Sequence, residues 1–257
     1  IDRRFSIKGS GIVVTGSVFS GKISVGEELS LMPQNVPVRI RGLHAQNQKA
    51  ESASAGDRCA INISGQALEL ELIHRGNWLT TNSAQATDRV DIELSISNYE
   101  TKPLAHWTPV HIHTAANHVT GRVALLETEK SKKIAPGEKA LAQLIFDPPI
   151  NFCFGDRVII RDQAATRTIG GGKVINTISP KRGRAKTARV AQLRQLESGD
   201  KDASLTTSIL GSRFGTELNG AREQFNYTEE ELRDLINGCG FNILANQLVI
   251  ANNSFND

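Results

Sequence analysis

The chain has 257 residues, 39% of them hydrophobic, with 22 glycines and a formal net charge of +3. That length holds one large domain or two to three small ones, and the glycines suit a turn-rich β-protein. No run reaches membrane-spanning length and none has the form of a signal peptide, while Cys59, Cys153 and Cys239 are too scattered for a disulfide framework or a CxxC metal site and read as buried free thiols of a cytosolic protein.

Residues 1–87 alternate short apolar runs (GIVVTGSV, KISVGEELSLM, VRIRGLH, RCAINI) with the turn signals SGK, PQN and SAGD. This spacing predicts a small closed barrel. A second β-module spans 88–180, with strands RVDIELSI, TPVHIHTA, VTGRVALLE, ALAQLIFD, DRVIIRD and GGGKVINTI. Segment 127–140 reads as an exposed turn with charged edges, and Gly170-Gly171-Gly172 as a close-packed strand entry rather than a cofactor loop.

Residues 181–257 form a third module. Its first part, 181–194, carries six Lys or Arg and no acid, whereas 195–257 carries ten acids against four bases. The basic strip reads either as a polyanion contact or as a solvated linker. RAKTARVAQLRQLES is helical by apolar spacing, LTTSILGSRFG is a shorter helical piece, and YTEEELRDLING is a helix with Asn226 as its cap and glutamates in its first turn. Gly238 or Gly240 ends it, and FNILANQLVIAN reads as a hairpin around Ala245-Asn246-Gln247. Three helices and a hairpin predict a winged helix. The fold class is thus mainly β with a small α+β end.

Gly16 to Lys22 fits GxxxxGK, but the next position, which needs a magnesium-binding hydroxyl, is Ile23, and the stretch ISVGEELSL from there on has strand character. It reads as a hairpin turn, so the chain is not expected to bind GTP. His111 and His113 share one strand face; with no third ligand in sight, they read as a polar surface pair and not a metal site. No catalytic Ser/His/Asp or Cys/His constellation and no working carboxylate pair stands out, so no catalytic residue is assigned.

Phe5-Ser6-Ile7, Gly9-Ser10-Gly11, Val14-Thr15-Gly16, Val25-Gly26-Glu27 and the closing Arg75-Gly76-Asn77-Trp78-Leu79 resemble the second domain of translational GTPases of the elongation factor Tu class. His111-Ile112-His113, Val119-Thr120-Gly121, Gly155 to Asp162 and Thr168 to Gly172 resemble that class's third domain, a six-stranded barrel. The resemblance implies two elongation-factor-type β-barrels before the winged helix. It also implies that the chain is a fragment lacking an N-terminal GTPase domain, where GTP and magnesium would bind; the fragment itself would be no enzyme and carry no cofactor.

One departure from the class is informative. The acid pair before its FSI reads Asp2-Arg3, and its AGEN or AGDN segment reads Ala55-Gly56-Asp57-Arg58. Two arginines enter a pocket that otherwise holds neutral aminoacyl side chains. A selenol is ionised at neutral pH, and a charge-assisted contact to it contributes roughly 1.5–3 kcal/mol. With VRIRGLHAQNQ and a following winged helix, this resembles the SelB family of bacterial selenocysteine-specific elongation factors. The resemblance implies a selenocysteine pocket of Asp2, Arg3 and Arg58. It places the tRNA 3′ end at Val13, His44 and Gln46, and the acceptor arm at or near His111, His113, Arg122, Arg161, Asp162 and Arg167. Arg3 or Arg58 pairing with Asp2 or Asp57 is the plain alternative. The implied partners are selenocysteinyl-tRNA and the ribosome, for a cytoplasmic monomer with no membrane contact. Binding of the mRNA hairpin is implied only for further C-terminal modules. Two rivals are the scaffold barrels of another translational-GTPase paralogue, of the sulfate-activation type, and a winged-helix DNA-binding regulator; the acidity of YTEEELRDLING counts against the second.

Overall fold

The computed structural model describes residues 1–9, 11–81, 85–127, 132–197, 199–212 and 214–251. Ser10 of the first turn, 128–131 of the charged turn, and Ser198 and Arg213 of the helical segments lie outside the described residues. Contacts divide the chain into two units, 1–86 with 115–118, and 87–114 with 119–257.

The first unit contains β1 (Arg3–Ile7), β2 (Gly11–Ser17), β3 (Lys22–Ser24), β4 (Glu28–Met32), β5 (Val36–Ala45), β6 (Gln48–Ala50), β7 (Ser52–Ser54), β8 (Arg58–Ser64) and β9 (Trp78–Thr80). The sheet runs β1-β2-β8-β5-β4-β9, β6 pairs with β5, and β3 and β7 form a separate ribbon. Among the described residues this ladder is not closed by a strand pair. Two backbone bonds beside it join the edges instead: Ile1 N donates to Asn77 O and Gly76 N to Ile1 O, each at 2.8 Å. Alternation puts Val14, Cys59, Ile61 and Ile63 into the core. In β5 the register shifts between Ile40 and Gly42, so Leu43 follows Val38 and Ile40 inward and His44 turns outward. The GxxxxGK stretch is strand, turn and strand, from β2 into β3.

The second unit opens with β10 (Thr87–Ile96), β11 (Leu104–Ala105), β12 (Thr108–Thr114), β13 (Asn117–Leu125), β14 (Lys133–Ile134), β15 (Lys139–Ile150), β16 (Arg157–Arg161) and β17 (Thr168–Asn176). Strands β10-β15-β13-β12-β16-β17 form a closed barrel around one apolar core, with Ile92, Leu94, Ile112, Leu144 and Ile160 fully buried. The three glycines of β17 allow its neighbours to come close: a Cβ at Gly170 or Gly172 would meet the Ser95 or Glu93 carbonyl oxygen at 2.3 Å, and one at Gly171 the Val158 oxygen at 2.6 Å.

The remainder is α1 (Thr187–Glu197), α2 (Lys201–Leu210), β18 (Thr216–Glu217), α3 (Leu218–Phe225), α4 (Glu229–Gly238), β19 (Asn242–Ile243) and β20 (Leu248–Ile250). The winged helix is assembled differently from the sequence reading. Its core joins Leu205 and Ile209 of α2, Ala221 and Phe225 of α3, Leu232 and Ile236 of α4, and Val249. Helix α3 has no counterpart in the sequence reading, and β20 pairs with both β19 and β18. Helix α1 packs Leu193 and Leu196 on Leu126, Leu141 and Ile175 of the barrel. Asn226 is the left-handed C-cap of α3 (φ 52°); α4 starts at Thr228, which forms a full capping box with Glu231.

Candidate nucleic-acid interface

On the first unit, directly opposed residues of antiparallel strands share a face. Arg3 opposes Thr15, Thr15 opposes Ala60, and Ala60 opposes His44. One row on the outer face therefore joins four strands and carries Arg3 and His44. Phe5 opposes Val13 in the next row toward one end, and Ser17 opposes Arg58 toward the other. Four of the expected residues, Arg3, Val13, His44 and Arg58, thus lie on one outer face. Gln46 sits just past it in the two-residue turn from β5 to β6, where Gln46 (φ 49°) and Asn47 (φ 67°) are both left-handed.

Arg58 Nη2 lies 2.6 Å from Asp2 Oδ2, with 59% of the Arg58 side chain exposed. Thr15 Oγ1 donates to Asp2 Oδ1 at 2.6 Å. Burial alone would push the Asp2 carboxyl up; the hydrogen bonds from Thr15 and Arg58 and the nearby positive charge outweigh it and hold the group below its ordinary value. Of the plain pairings considered, Arg58 with Asp2 is formed. The Asp57 carboxylate instead accepts from Ser54 N at 2.8 Å. Arg3 is exposed and forms no ion pair among the described residues. A guanidinium has five donors, so Arg58 keeps capacity for an anion beyond Asp2. Thr15 was not picked out from the sequence, although its place next to core-facing Val14 already puts it outside.

On the second unit, His111 opposes Arg161 and His113 opposes Ile159. The histidine rings lie 6.5 Å apart, and His111 Nε2 is 3.1 Å from Gln163 O. Arg161 Nε is buried without a hydrogen-bond partner among the described residues. Asp162 organises the loop after β16: its carboxylate accepts from Thr166 N (2.7 Å), Arg167 N (3.1 Å) and Thr166 Oγ1 (2.8 Å). The bond from the Arg167 amide, with those from Thr166, keeps its carboxyl below the ordinary value. Arg167 also pairs with Glu100. Arg122, on β13 beside β12, donates to Trp107 O at 3.2 Å, with its guanidinium 6.0 Å from the Trp107 ring.

Four of the six cations of the basic strip are engaged by groups of the second unit. Arg189 donates to Asp91, which is fully buried and also accepts from Gln143 Nε2 at 2.9 Å. Arg184 reaches Gln143 Oε1 at 3.2 Å and lies 5.4 Å over Trp107. Arg194 pairs with Glu127 and Glu197, and Lys181 lies 3.6 Å from Asp88. The strip clasps α1 to its own barrel.

The strand-rich first module and the closed second barrel fit the β-domains of translation elongation factors, the class that the family matches show. The family model for elongation factor Tu domain 2 matches residues 11–80. Within that class the chain belongs with the selenocysteine-specific elongation factors, whose β-barrel domain model matches residues 87–181. The chain is 43% identical over 204 residues to the selenocysteine-specific elongation factor of Escherichia coli (strain K12), covering 79% of this chain and 31% of that protein. It is 36% identical over 210 residues to that of Haemophilus influenzae, covering 80% and 32%. A crystal structure of a bacterial selenocysteine-specific elongation factor superposes with a TM-score of 0.72 at 16% identity, over 98% of this chain and 39% of that one, a likeness of fold. The chain thus spans about a third of the length of these curated relatives.

Proposed function

We propose that this chain is the tRNA-holding part of a selenocysteine-specific elongation factor, delivering selenocysteinyl-tRNA to the ribosome in the cytoplasm. GTP and magnesium would be handled by a GTPase domain outside this sequence, and the chain itself would catalyse nothing. The observation that carries the reading is Arg58, a permanent cation held at one edge by Asp2 and open on the outer face it shares with Arg3, Val13 and His44. Asp2 fixes the guanidinium through one oxygen, while Thr15 fixes Asp2 through the other. A selenolate finds a charge-assisted partner there that neutral serine does not use. Val13, His44 and Gln46 would receive the tRNA 3′ end. On the second unit His111, His113, Arg161 and Arg167 would meet the acceptor arm, with Asp162 positioning Arg167 and Arg122 at the margin. Recognition of an mRNA hairpin would belong to further modules.

The test uses the full-length parent in its GTP state. Affinities for selenocysteinyl-tRNA and seryl-tRNA on one tRNA body are compared with and without Arg58→Ala. A preference for selenocysteine that shrinks at least tenfold in the variant supports the reading. Equal affinities in the unmodified protein sink it and favour a scaffold role for the barrels.

A further inference from the structure

The outer face of the second barrel is covered by α1 over Leu141 and Ile175 but bare over a neighbouring strip. One cross-strand row, His113–Ile159–Gly171–Ser95, runs through that strip. Its floor is low because Gly171 and Ser95 project little or nothing, and the result is an open groove of about 510 Å³. The walls are cationic. Lys139, Arg157 and Lys173 line it, against one acid, Glu93, which Lys139 engages at 2.5 Å. Lys173 sits 4.6 Å over the Phe154 ring, and Arg157 is exposed with no ion pair among the described residues. Ile159, half exposed on the floor, leaves an apolar centre between the positive edges. Polyanion backbones are recognised by this combination of cations along a groove with a flat floor.

We propose that this groove docks the sugar-phosphate backbone of the tRNA body, extending the contact beyond His111 and Arg161 across β16 and β17. The proposal rests on the tRNA reading above. Arg157 supplies a phosphate contact, and Ile159 lies under the strand. Both side chains are exposed, so Arg157→Gln and Ile159→Glu test the groove without touching the core.

The parent in its GTP state is titrated with selenocysteinyl-tRNA and seryl-tRNA across a salt series, after matching denaturation midpoints confirm folding. Arg157→Gln is expected to weaken both tRNAs by the same factor, roughly three- to tenfold near 0.1 M salt, and to lower the salt slope by about one. Ile159→Glu is expected to weaken both at least as much, by placing a carboxylate under the phosphates. Arg58→Ala, in contrast, changes the ratio between the two aminoacyl forms. If the parent binds tRNA but both variants keep its affinity and slope, the groove proposal falls and the tRNA reading stands. A loss seen only in ribosome binding also overturns it. If the parent binds neither tRNA, both fall together.

Discussion

Arg58 and Asp2 show how much a single pairing decides at the residue scale. The sequence offers two arginines, Arg3 and Arg58, for the proposed pocket, and the structure adds that Thr15 and Asp2 hold Arg58 in place. Asp156 makes a different residue-scale prediction. Its carboxylate accepts from Cys153 N at 2.8 Å, yet burial pushes its pKa up to about 6. A carboxyl raised above its unfolded value favours the protonated folded state, so stability falls as pH rises from about 4 to about 6 and is level above that. Asp156→Asn keeps an acceptor for Cys153 N and removes the charge. Denaturant unfolding should show the variant stabilised at pH 8, by at most about 3 kcal/mol, with a much smaller gain at pH 4. An equal difference at both pH values would exclude the mechanism. Burial likewise pushes the Cys153 thiol up to about 12. Cys239 is exposed and Cys59 buried, so an alkylating agent at neutral pH should label Cys239 first in the native protein.

At the scale of the element, the α3–α4 junction separates two readings of one short stretch. Asn226-Tyr227-Thr228 offers two cap-forming residues, and on sequence alone the strong capping preference of Asn favours Asn226. The structure uses both, one per helix. Asn226 closes α3 in the left-handed conformation, and Thr228 opens α4. Thr228→Ala should therefore cost about 1 kcal/mol, while Asn226→Gly, which suits a positive φ, should be near neutral. Urea midpoints decide it; an unchanged midpoint for Thr228→Ala would restore the simpler reading. The same stretch explains what was legible. Strand β10 of the second barrel carries strict alternation, Val90-Asp91-Ile92-Glu93-Leu94, and is legible as a strand for that reason; alternation does not give the order of the strands in the barrel. Helix α3 was hidden because LNGAREQF contains Asn and Gly and has few apolar positions, its burial coming from packing against α2 and α4. On the first unit, alternation predicts the face of Thr15 but not that of His44, because the bulge before Gly42 reverses parity. Five of the six residues expected at the acceptor arm gather around one strand pair and its loop. Arg122, equally visible as a cation, is drawn to Trp107 by contacts that no spacing encodes.

On the scale of the whole molecule, the charge pattern that marked a boundary in the sequence marks an attachment in the fold. Four of the six cations in 181–194 are spent on acids or polar groups of the barrel or of α1 itself. Asp91 lies at the centre, fully buried, with Arg189 and Gln143 as its partners. Beyond it, Phe154 packs at a tilt against Phe225 with ring centroids 5.0 Å apart, and Phe154 N donates to Gln224 O at 2.6 Å. Barrel and winged helix are therefore continuous in packing within the second unit. Removing one partner of a buried ion pair leaves the other charged and unsolvated, at a cost of about 3–5 kcal/mol. Arg189→Ala should accordingly unfold at lower denaturant and expose the 181–186 segment to trypsin. Arg182→Ala, which breaks no contact among the described residues, should leave both unchanged. The pair Asp91→Leu with Arg189→Met removes both charges and should recover most of the lost stability. Recovery in the double variant would assign the loss to the stranded Asp91 carboxylate. If Arg189→Ala unfolds and resists trypsin like the unmodified chain, the Arg189–Asp91 pair does not anchor the strip.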